Sequence, residues 1–345
     1  MIGTIGTTIT EFIIAEQRRF AGATGDFTSL INDIVIACKT IASAVKYGKL
    51  SAMDVLGSTD TENVQGEKQK KLDVISNDLF IKRNEWSGYV AAMASEEMDG
   101  VYHLPKQFPR GKYLLVYDPL DGSSNTEVNG AIGTIFSILR RPGNAEGEPD
   151  AKEFMQPGTQ QICAGYALYG PSTMMVLTSG FGVNGFTLDQ RIGEFILSHP
   201  DMRIPEDTNE FAINAAYTRF WDPPMKRYMD ECLAGKEGPR DKDFNMRWAG
   251  AMIADVHRVL SRGGIFMYPM DRKMRAKGAT GKLRLLYEAN PMGFIVEQAG
   301  GAASTGTERI LEIQPHDLHQ RCPVIMGSKN EVERVVSYHK EFAQA

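Results

Sequence analysis

Cysteine is scarce in this chain: Cys38, Cys163, Cys232 and Cys322 are the four present in 345 residues, and no two form a CxxC pair. That excludes a disulfide framework and suits a reducing cytoplasm. Each cysteine is expected to be a small buried apolar side chain. Basic charge is also short. Lys and Arg total 38 against 43 Asp and Glu, a net charge of −5, so no basic stripe for nucleic acid is expected. A small anionic substrate would then have to be attracted by local metal ions and basic residues. No uninterrupted apolar run approaches the ~20 residues that span a bilayer. Thr10-Glu11-Phe12 interrupts any apolar segment at the amino terminus and no basic segment precedes it, so no signal peptide is expected. The expectation is a cytoplasmic protein without a membrane partner. Internal repeats and low-complexity tracts are absent as well.

What is present is ordinary for a folded chain, with 42% hydrophobic and 23% charged residues. At this length two domains are the natural expectation. The polar, irregular stretch from His199-Pro200-Asp201 to Asn209 marks the boundary, giving 1–200 and 201–345. Apolar spacing predicts helices over 10–21, 28–47 and 72–92. Residues 48–71 turn to Gly, Ser, Thr, Asn, Gln and Lys and read as a candidate mobile loop. Residues 113–117, 131–141 and 161–178 read as strands, 142–157 as a surface loop, and Asn184-Gly185 as a hairpin turn. Helices predicted over 249–260, 285–299 and 332–342 alternate with strands such as 263–268. A mixed α/β fold in two domains follows.

The most informative segment is Asp118-Pro119-Leu120-Asp121-Gly122-Ser123-Ser124-Asn125. It follows the apolar run Tyr113-Leu114-Leu115-Val116-Tyr117, which would hold Asp118 at the carboxyl end of a buried strand. Pro119 fixes φ and offers no N–H, so the chain is expected to turn there rather than pair onward. Asp121 then aims a second carboxylate into the same space. Gly122, Ser123, Ser124 and Asn125 supply backbone N–H groups and two hydroxyls suited to a phosphate oxygen. Hard oxygen ligands for a divalent cation beside an anion cradle point to metal-assisted phosphate-ester chemistry.

More acids are available. Taken alone, Glu96-Glu97 reads as a solvated helix end and Asp73 as an ordinary helix-start residue. Glu288 lies in an apolar helical run, where a carboxylate is rarely buried unless paired or metal-bound. Several carboxylates gathered without cations cannot all stay ionised. Two or three Mg²⁺ or Mn²⁺ ions remove that penalty, and oxygen-only ligands favour those hard ions over zinc. No Cys or His nucleophile stands in a recognisable phosphatase loop, so attack by water is expected rather than a phospho-enzyme.

The segments Lys71-Leu72-Asp73, Ser95-Glu96-Glu97, 118–125, 164–170, Ala254-Asp255-Val256-His257-Arg258, 263–269 and 282–288 together resemble the class I fructose-1,6-bisphosphatase family. They occur in that family's order over nearly the whole chain. The Asp-Pro-Leu-Asp-Gly-Ser core alone is similar to the wider lithium-sensitive phosphatase superfamily, inositol monophosphatases included. The resemblance implies a layered αβαβα sugar-phosphatase fold of two mixed-sheet domains. The amino-terminal one would be regulatory and also supply metal ligands; the carboxyl-terminal one would bind the sugar phosphate. It implies that Glu96, Glu97, Asp118, Asp121 and Glu288, with the Leu120 carbonyl, hold two to three Mg²⁺ per subunit. Asp121, Gly122, Ser123, Ser124 and Arg284 would contact the 1-phosphate. Asp73, Glu97 and Glu67 would activate water or relay protons.

The same resemblance implies a 6-phosphate site from Asn214, Tyr217, Tyr268 and Lys282, with Arg247 donated across a subunit interface. Taken alone, the two tyrosines read as core aromatics, Asn214 as a turn residue and Arg247 as a surface cation. The implied reaction is hydrolysis of fructose 1,6-bisphosphate to fructose 6-phosphate and phosphate by a homotetramer, in gluconeogenesis or a carbon-fixation cycle. Two departures bear on it. Trp248 stands where the family usually carries a phosphate-binding tyrosine, and an indole donates one hydrogen bond but accepts none. Residues 270–281 form a longer link than expected, which opens sedoheptulose 1,7-bisphosphate as an alternative or additional substrate.

Thr24, Gly25, Asp26, Phe27 and Thr28, with Lys112, Tyr113 and Arg140, resemble the family's allosteric AMP site. N–H groups at the start of the second helix suit a phosphate; the alternative is that Thr24-Gly25-Asp26 only caps that helix. Residues 142–156 contain no cysteine, so light-responsive disulfide control is not expected.

Overall fold

The computed structural model describes residues 6–18, 24–47, 58–62, 68–143 and 147–344. Glu67 and much of 48–71 therefore lie outside the described residues. Three helices, Ile9–Gln17, Asp26–Tyr47 and Lys71–Asn84, cover one face of an eight-stranded sheet. From edge to edge it runs Glu194–His199, Asn184–Asp189, Thr173–Thr178, Gln161–Tyr169, Ile132–Arg140, Tyr113–Asp121, Val90–Ser95, Tyr102–His103. Neighbours are antiparallel except Val90–Ser95 and Tyr113–Asp121, which run parallel. Strand alternation feeds two layers at once. Tyr113, Leu115 and Tyr117 face the helices, while Leu114 and Val116 join Leu286 and Tyr287 on the other face.

Elsewhere on that second face, Ile135, Ala164, Tyr166 and Val176 pack with the helices Met252–Arg262 and Asn290–Gln298. Those helices also cover a five-stranded mixed sheet ordered Asn245–Met246, Glu210–Ala212, Ile265–Tyr268, Val324–Gly327, Ala302–Ser304. Its far face, through Phe211, Ile265, Met267 and Ile325, packs on Pro223–Ala234 and Lys329–Gln344. The layers are thus helix, sheet, helix, sheet, helix, as expected for an αβαβα fold. Each fully buried Ile or Phe in these layers contributes about 2 kcal/mol. Asp26–Tyr47 has the length and apolarity of a membrane span by composition. Its Leu30, Ile31, Ile34, Val35, Cys38 and Ile41 nevertheless lie in the core. All four cysteines are free and buried.

Several local expectations are corrected. The helix predicted to Ala92 stops at Asn84, and Val90 begins a strand buried on both faces. Gly88, at φ 79, breaks the chain between them. A doubly buried strand reads as a continuous apolar run, which periodicity does not separate from a helix. Asn184-Gly185 opens a strand rather than forming a turn, and the reversals flank that strand, at 179–183 and between Asp189 and Glu194. Gly185 serves close packing instead: a Cβ there would sit 3.0 Å from Met202 Sδ and 3.1 Å from His199 Cβ. The strand containing Asp118 does not turn at Pro119. It continues to Asp121 through a register shift, pairing Asp118 with Ile135 and Asp121 with Gly133.

Candidate active site

The two parallel strands, Val90–Ser95 and Tyr113–Asp121, end side by side and release their acids in one direction. Pairing between them stops at Ser95 and Tyr117, and the Glu96 N–H donates to the Tyr117 carbonyl at 3.1 Å. Beyond that point the second strand bulges. The Leu120 N–H donates to Asp118 Oδ1 at 2.9 Å, and Thr134 Oγ1 donates to the Pro119 carbonyl at 2.9 Å. The missing N–H of Pro119 thus falls where no ladder donor is required. The bulge lets Asp118 and Asp121 share one space, although a regular strand would place them on opposite faces.

Glu288 arrives from the other half of the chain. The predicted helix 285–299 opens as a π-helical turn, Leu285–Ala289, before continuing as Asn290–Gln298. Such turns re-aim side chains and recur at functional sites. Glu288 Oε2 accepts the Arg284 N–H at 2.5 Å. One carboxylate oxygen each from Asp118, Asp121 and Glu288 then lies within 4.8 Å of the others. All three are buried, and burial above all raises their pKa values, with Glu96 adding to each. Three acids forced toward protonation around one point are a donor set that a hard divalent cation fits. Glu96 pairs with the guanidinium of Arg284, so the arginine sits on an acid expected to ligate metal.

These acids floor a cavity of about 280 Å³ that Asp73, Glu97, Leu120, Gly122, Ser123, Ser124 and Lys282 also line. Gly122 has φ 77 and starts the 3₁₀ turn Ser123–Val128; a Cβ on it would lie 2.4 Å from Ala251 Cβ. Only glycine suits both constraints. Asn125 closes the cradle by donating to the Ala249 carbonyl at 3.2 Å. Asp73 Oδ2 accepts the Lys70 N–H at 2.9 Å, while its Oδ1 is buried with no hydrogen-bond partner among the described residues. Burial and the neighbouring Glu97 push its carboxyl up to about 7.

Trp248 and Tyr268 form the opposite wall. Trp248 lies parallel to Phe266, with centroids 6.1 Å apart, and tilts against Tyr268 at 5.8 Å. Asn214 and Tyr217 line a smaller adjoining pocket that Tyr268 shares. The Lys273 ammonium, from the short helix Arg272–Ala276 within the long 270–281 link, stands 5.1 Å from the Tyr217 ring centre. Arg247 is exposed and lines neither space. Two contributors escaped the sequence reading. Phe266, in the strand Ile265–Tyr268, backs the Trp248 wall. Asp255 accepts the Ala249 and Gly250 N–H groups at 2.8 and 3.2 Å. The helix begins at Met252 rather than 249, because Gly250 has φ 79 and Ala251 is extended. The 254–258 motif contained Asp255, but the helix predicted from 249 placed it mid-helix rather than in the first turn it occupies.

At the far end of the Asp121 strand, a second cluster forms. Lys112 Nζ lies 2.7 Å from Asp26 Oδ2 and 2.8 Å from Thr24 Oγ1. Lys112 and Arg140 stand 5.6 and 5.8 Å from the Tyr113 ring centre, and Phe27 packs on the same ring at 6.2 Å. Thr28 turns away and donates to Gln17.

Residues 7–200 match the family model described as Fructose-1-6-bisphosphatase, N-terminal domain, and residues 204–340 match the corresponding C-terminal domain. The class 1 fructose-1,6-bisphosphatase of Halorhodospira halophila is 59% identical over 338 residues, covering 98% of this chain and 99% of the relative. That of Hydrogenophilus thermoluteolus is 59% identical over 334 residues, covering 97% and 92%. Among solved structures, Leishmania major fructose-1,6-bisphosphatase in its holo form superposes with a TM-score of 0.89 at 40% identity, covering 98% of this chain and 100% of that one. Its apo form gives 0.84 at 38%, covering 97% and 99%. With two domain matches in sequence, near-full-length relatives and the same layered fold, this chain belongs to the class 1 fructose-1,6-bisphosphatase family of phosphate-ester hydrolases.

Proposed function

We propose that the chain hydrolyses the 1-phosphate of fructose 1,6-bisphosphate, and that Asp118, Asp121 and Glu288, with Glu96, Glu97 and the Leu120 carbonyl, hold the Mg²⁺ or Mn²⁺ ions this requires. The observation that carries the reading is the convergence of three buried carboxylates within 4.8 Å beside the Gly122–Ser124 cradle. Enzymes of this family are metal-dependent phosphatases. When bound, such ions polarise the phosphoryl group and lower the pKa of an attacking water. The chain's own groups do the rest. N–H and hydroxyl groups of Gly122, Ser123 and Ser124 grip the 1-phosphate oxygens. Asp73, with its carboxyl at about 7 and Oδ1 unbonded, takes or returns a proton at that oxygen. Glu97 lies in the same cavity as a second proton acceptor.

The aromatic wall of Trp248 and Tyr268 orients the sugar, and Lys282, Asn214 and Tyr217 bind the far phosphate. Arg247, exposed just past the short edge strand Asn245–Met246, completes that site from a neighbouring subunit of a homotetramer. Residues 1–200 would then carry regulation and most metal ligands, and 201–345 the sugar-phosphate site. AMP would bind at Thr24–Thr28 with Lys112, Tyr113 and Arg140. The contacts that gather Thr24, Asp26, Phe27, Lys112, Tyr113 and Arg140 support that site. Strand Tyr113–Asp121 spans roughly 25 Å between the two sites.

Phosphate release from a panel of sugar phosphates, with and without Mg²⁺, tests the central reading. Metal-dependent release from fructose 1,6-bisphosphate, ahead of sedoheptulose 1,7-bisphosphate in kcat/KM, supports it; no release from either refutes it. Titrating AMP at saturating Mg²⁺ tests regulation, and an unchanged rate removes that part.

A further inference from the structure

Resting on the reading above, we propose that His319 is a positioning residue that clamps the acidic turn Glu96-Glu97-Met98 to the carboxyl-terminal half and so sets where those two carboxylates meet the metal cluster. His319 Nε2 lies 2.9 Å from the Met98 carbonyl, across 221 positions of sequence. A carbonyl only accepts, so Nε2 carries the proton and Nδ1 the lone pair.

The clamp is itself firmly seated. Leu318 is buried with Leu286 and Tyr287, in a cluster that also takes Val101. The His319 N–H donates to Asp317 Oδ1 at 2.7 Å, and the Gln320 carbonyl accepts the Leu285 N–H at 2.7 Å. Next in sequence, Arg321–Cys322 pairs antiparallel with Leu283–Arg284. The imidazole packs 5.4 Å from the ring centre of Tyr287, which shares its π-helical turn with Glu288. Segment 317–322 therefore grips both sides of the acid cluster: the turn bearing Glu96 and Glu97, and the turn bearing Glu288.

The acidic turn's remaining backbone bonds tie it to its own sheet. The Glu96 N–H reaches the Tyr117 carbonyl at 3.1 Å, and the Met98 N–H reaches the Ser95 carbonyl at 3.3 Å. The Glu96–Arg284 ion pair and the His319–Met98 bond cross to the other half. The ion pair spends the charge that a cation needs. The His319 bond uses none of it, so it holds the turn in place whether or not Glu96 is ligating.

The test compares His319→Phe, His319→Ala and His319→Gln in the full chain. Phe keeps a ring against Tyr287 and removes the donor; Gln restores an N–H donor. Mn²⁺ binding is followed by loss of the free-ion EPR signal, alongside the Mg²⁺ dependence of phosphate release, KM for fructose 1,6-bisphosphate, and the melting temperature. Phe and Ala are expected to weaken Mn²⁺ binding about tenfold and to raise half-saturating Mg²⁺ similarly, as loss of a ligand-orienting group does. KM stays near wild type and Gln recovers most of the loss. Unchanged Mn²⁺ affinity in the folded Phe or Ala variant, with an active wild type, overturns the clamp alone. Equal loss in all three variants does the same. A wild type that neither binds Mn²⁺ nor releases phosphate overturns the proposed function, and the clamp with it.

Discussion

The carboxylate of Asp121 accepts a hydrogen bond from the backbone N–H of Ile253 at 2.6 Å. Asp121 ends a strand of the large sheet, and Ile253 lies in the first turn of Met252–Arg262. First-turn N–H groups have no intrahelical acceptor and sit at the positive end of the helix dipole, so they favour a carboxylate. One acid of the cluster is thus oriented by the helix layer between the sheets. Ala251, just before that helix, packs close against Gly122. Cradle, acid and helix start are thus tied together.

Asp121→Asn separates charge from geometry. The amide oxygen still accepts from Ile253, so the melting temperature should stay within a few degrees of wild type. Phosphate release should fall on the order of a hundredfold or more, because an amide is a poor ligand for a hard cation. Activity within threefold of wild type would contradict the assignment.

Gly122→Ala tests the cradle. The substitution meets Ala251 Cβ at 2.4 Å and forces a side chain into a φ of 77. Strain and overpacking of this kind cost about 1–3 kcal/mol. We expect a lower unfolding midpoint in urea together with a severe loss of kcat. A variant with wild-type stability and rate would show that neither constraint operates.

Metal and pH should act together on stability. Asp73 is pushed up to about 7, and Asp118, Asp121 and Glu288 are likewise raised, by burial first and then by neighbouring acids. A carboxyl whose folded pKa exceeds its unfolded value near 4 contributes stability at low pH and loses it as pH rises through the folded value. The metal-free chain should weaken from about pH 4 to above pH 7, and saturating Mg²⁺ should raise the melting temperature more near pH 8 than near pH 5. An equal or larger shift at the lower pH would oppose this.

His257 carries the opposite sign. Its Nδ1 lies 2.8 Å from the Tyr166 hydroxyl, and burial, then His199, holds its pKa down to about 4. A base with a depressed folded pKa contributes stability above its unfolded value near 6.5 and loses it as pH falls toward 4. The contribution, reduced for partial exposure, is of order 2 kcal/mol. His257→Gln should therefore lose less unfolding free energy than wild type between neutral pH and pH near 4.5, read by urea titration. Parallel losses would remove His257 as a source of acid sensitivity.

Much of the local architecture was legible. The run 113–117 announced a buried strand, and the Asp, Gly and Ser that follow it announced a cradle, because strand burial, proline and glycine act on neighbours in the chain. The amphipathic pattern of 28–47 located a helix that the structure begins at Asp26. Failures came where two conformations share one local pattern. Val90-Ala91-Ala92 suits a helix or a doubly buried strand equally, and only its place between Tyr102–His103 and Tyr113–Asp121 chooses. Asn184-Gly185 looked like a turn, yet its glycine answers to Met202 and His199, which arrive from the following segment. Pro119 looked like a stop, and the register shift opposite Ile135 and Gly133 absorbed it.

Which chemical groups are available, and which short elements carry them, followed from the amino-acid order alone, since period, capping and ring closure operate over a few residues. Which carboxylates share a space, why Asp121 leans on Ile253, and how His319 reaches Met98 were decided by the stacking of two sheets around a common helix layer. No local interaction relates groups so distant along the chain; only the burial of one layer against the next brings them together.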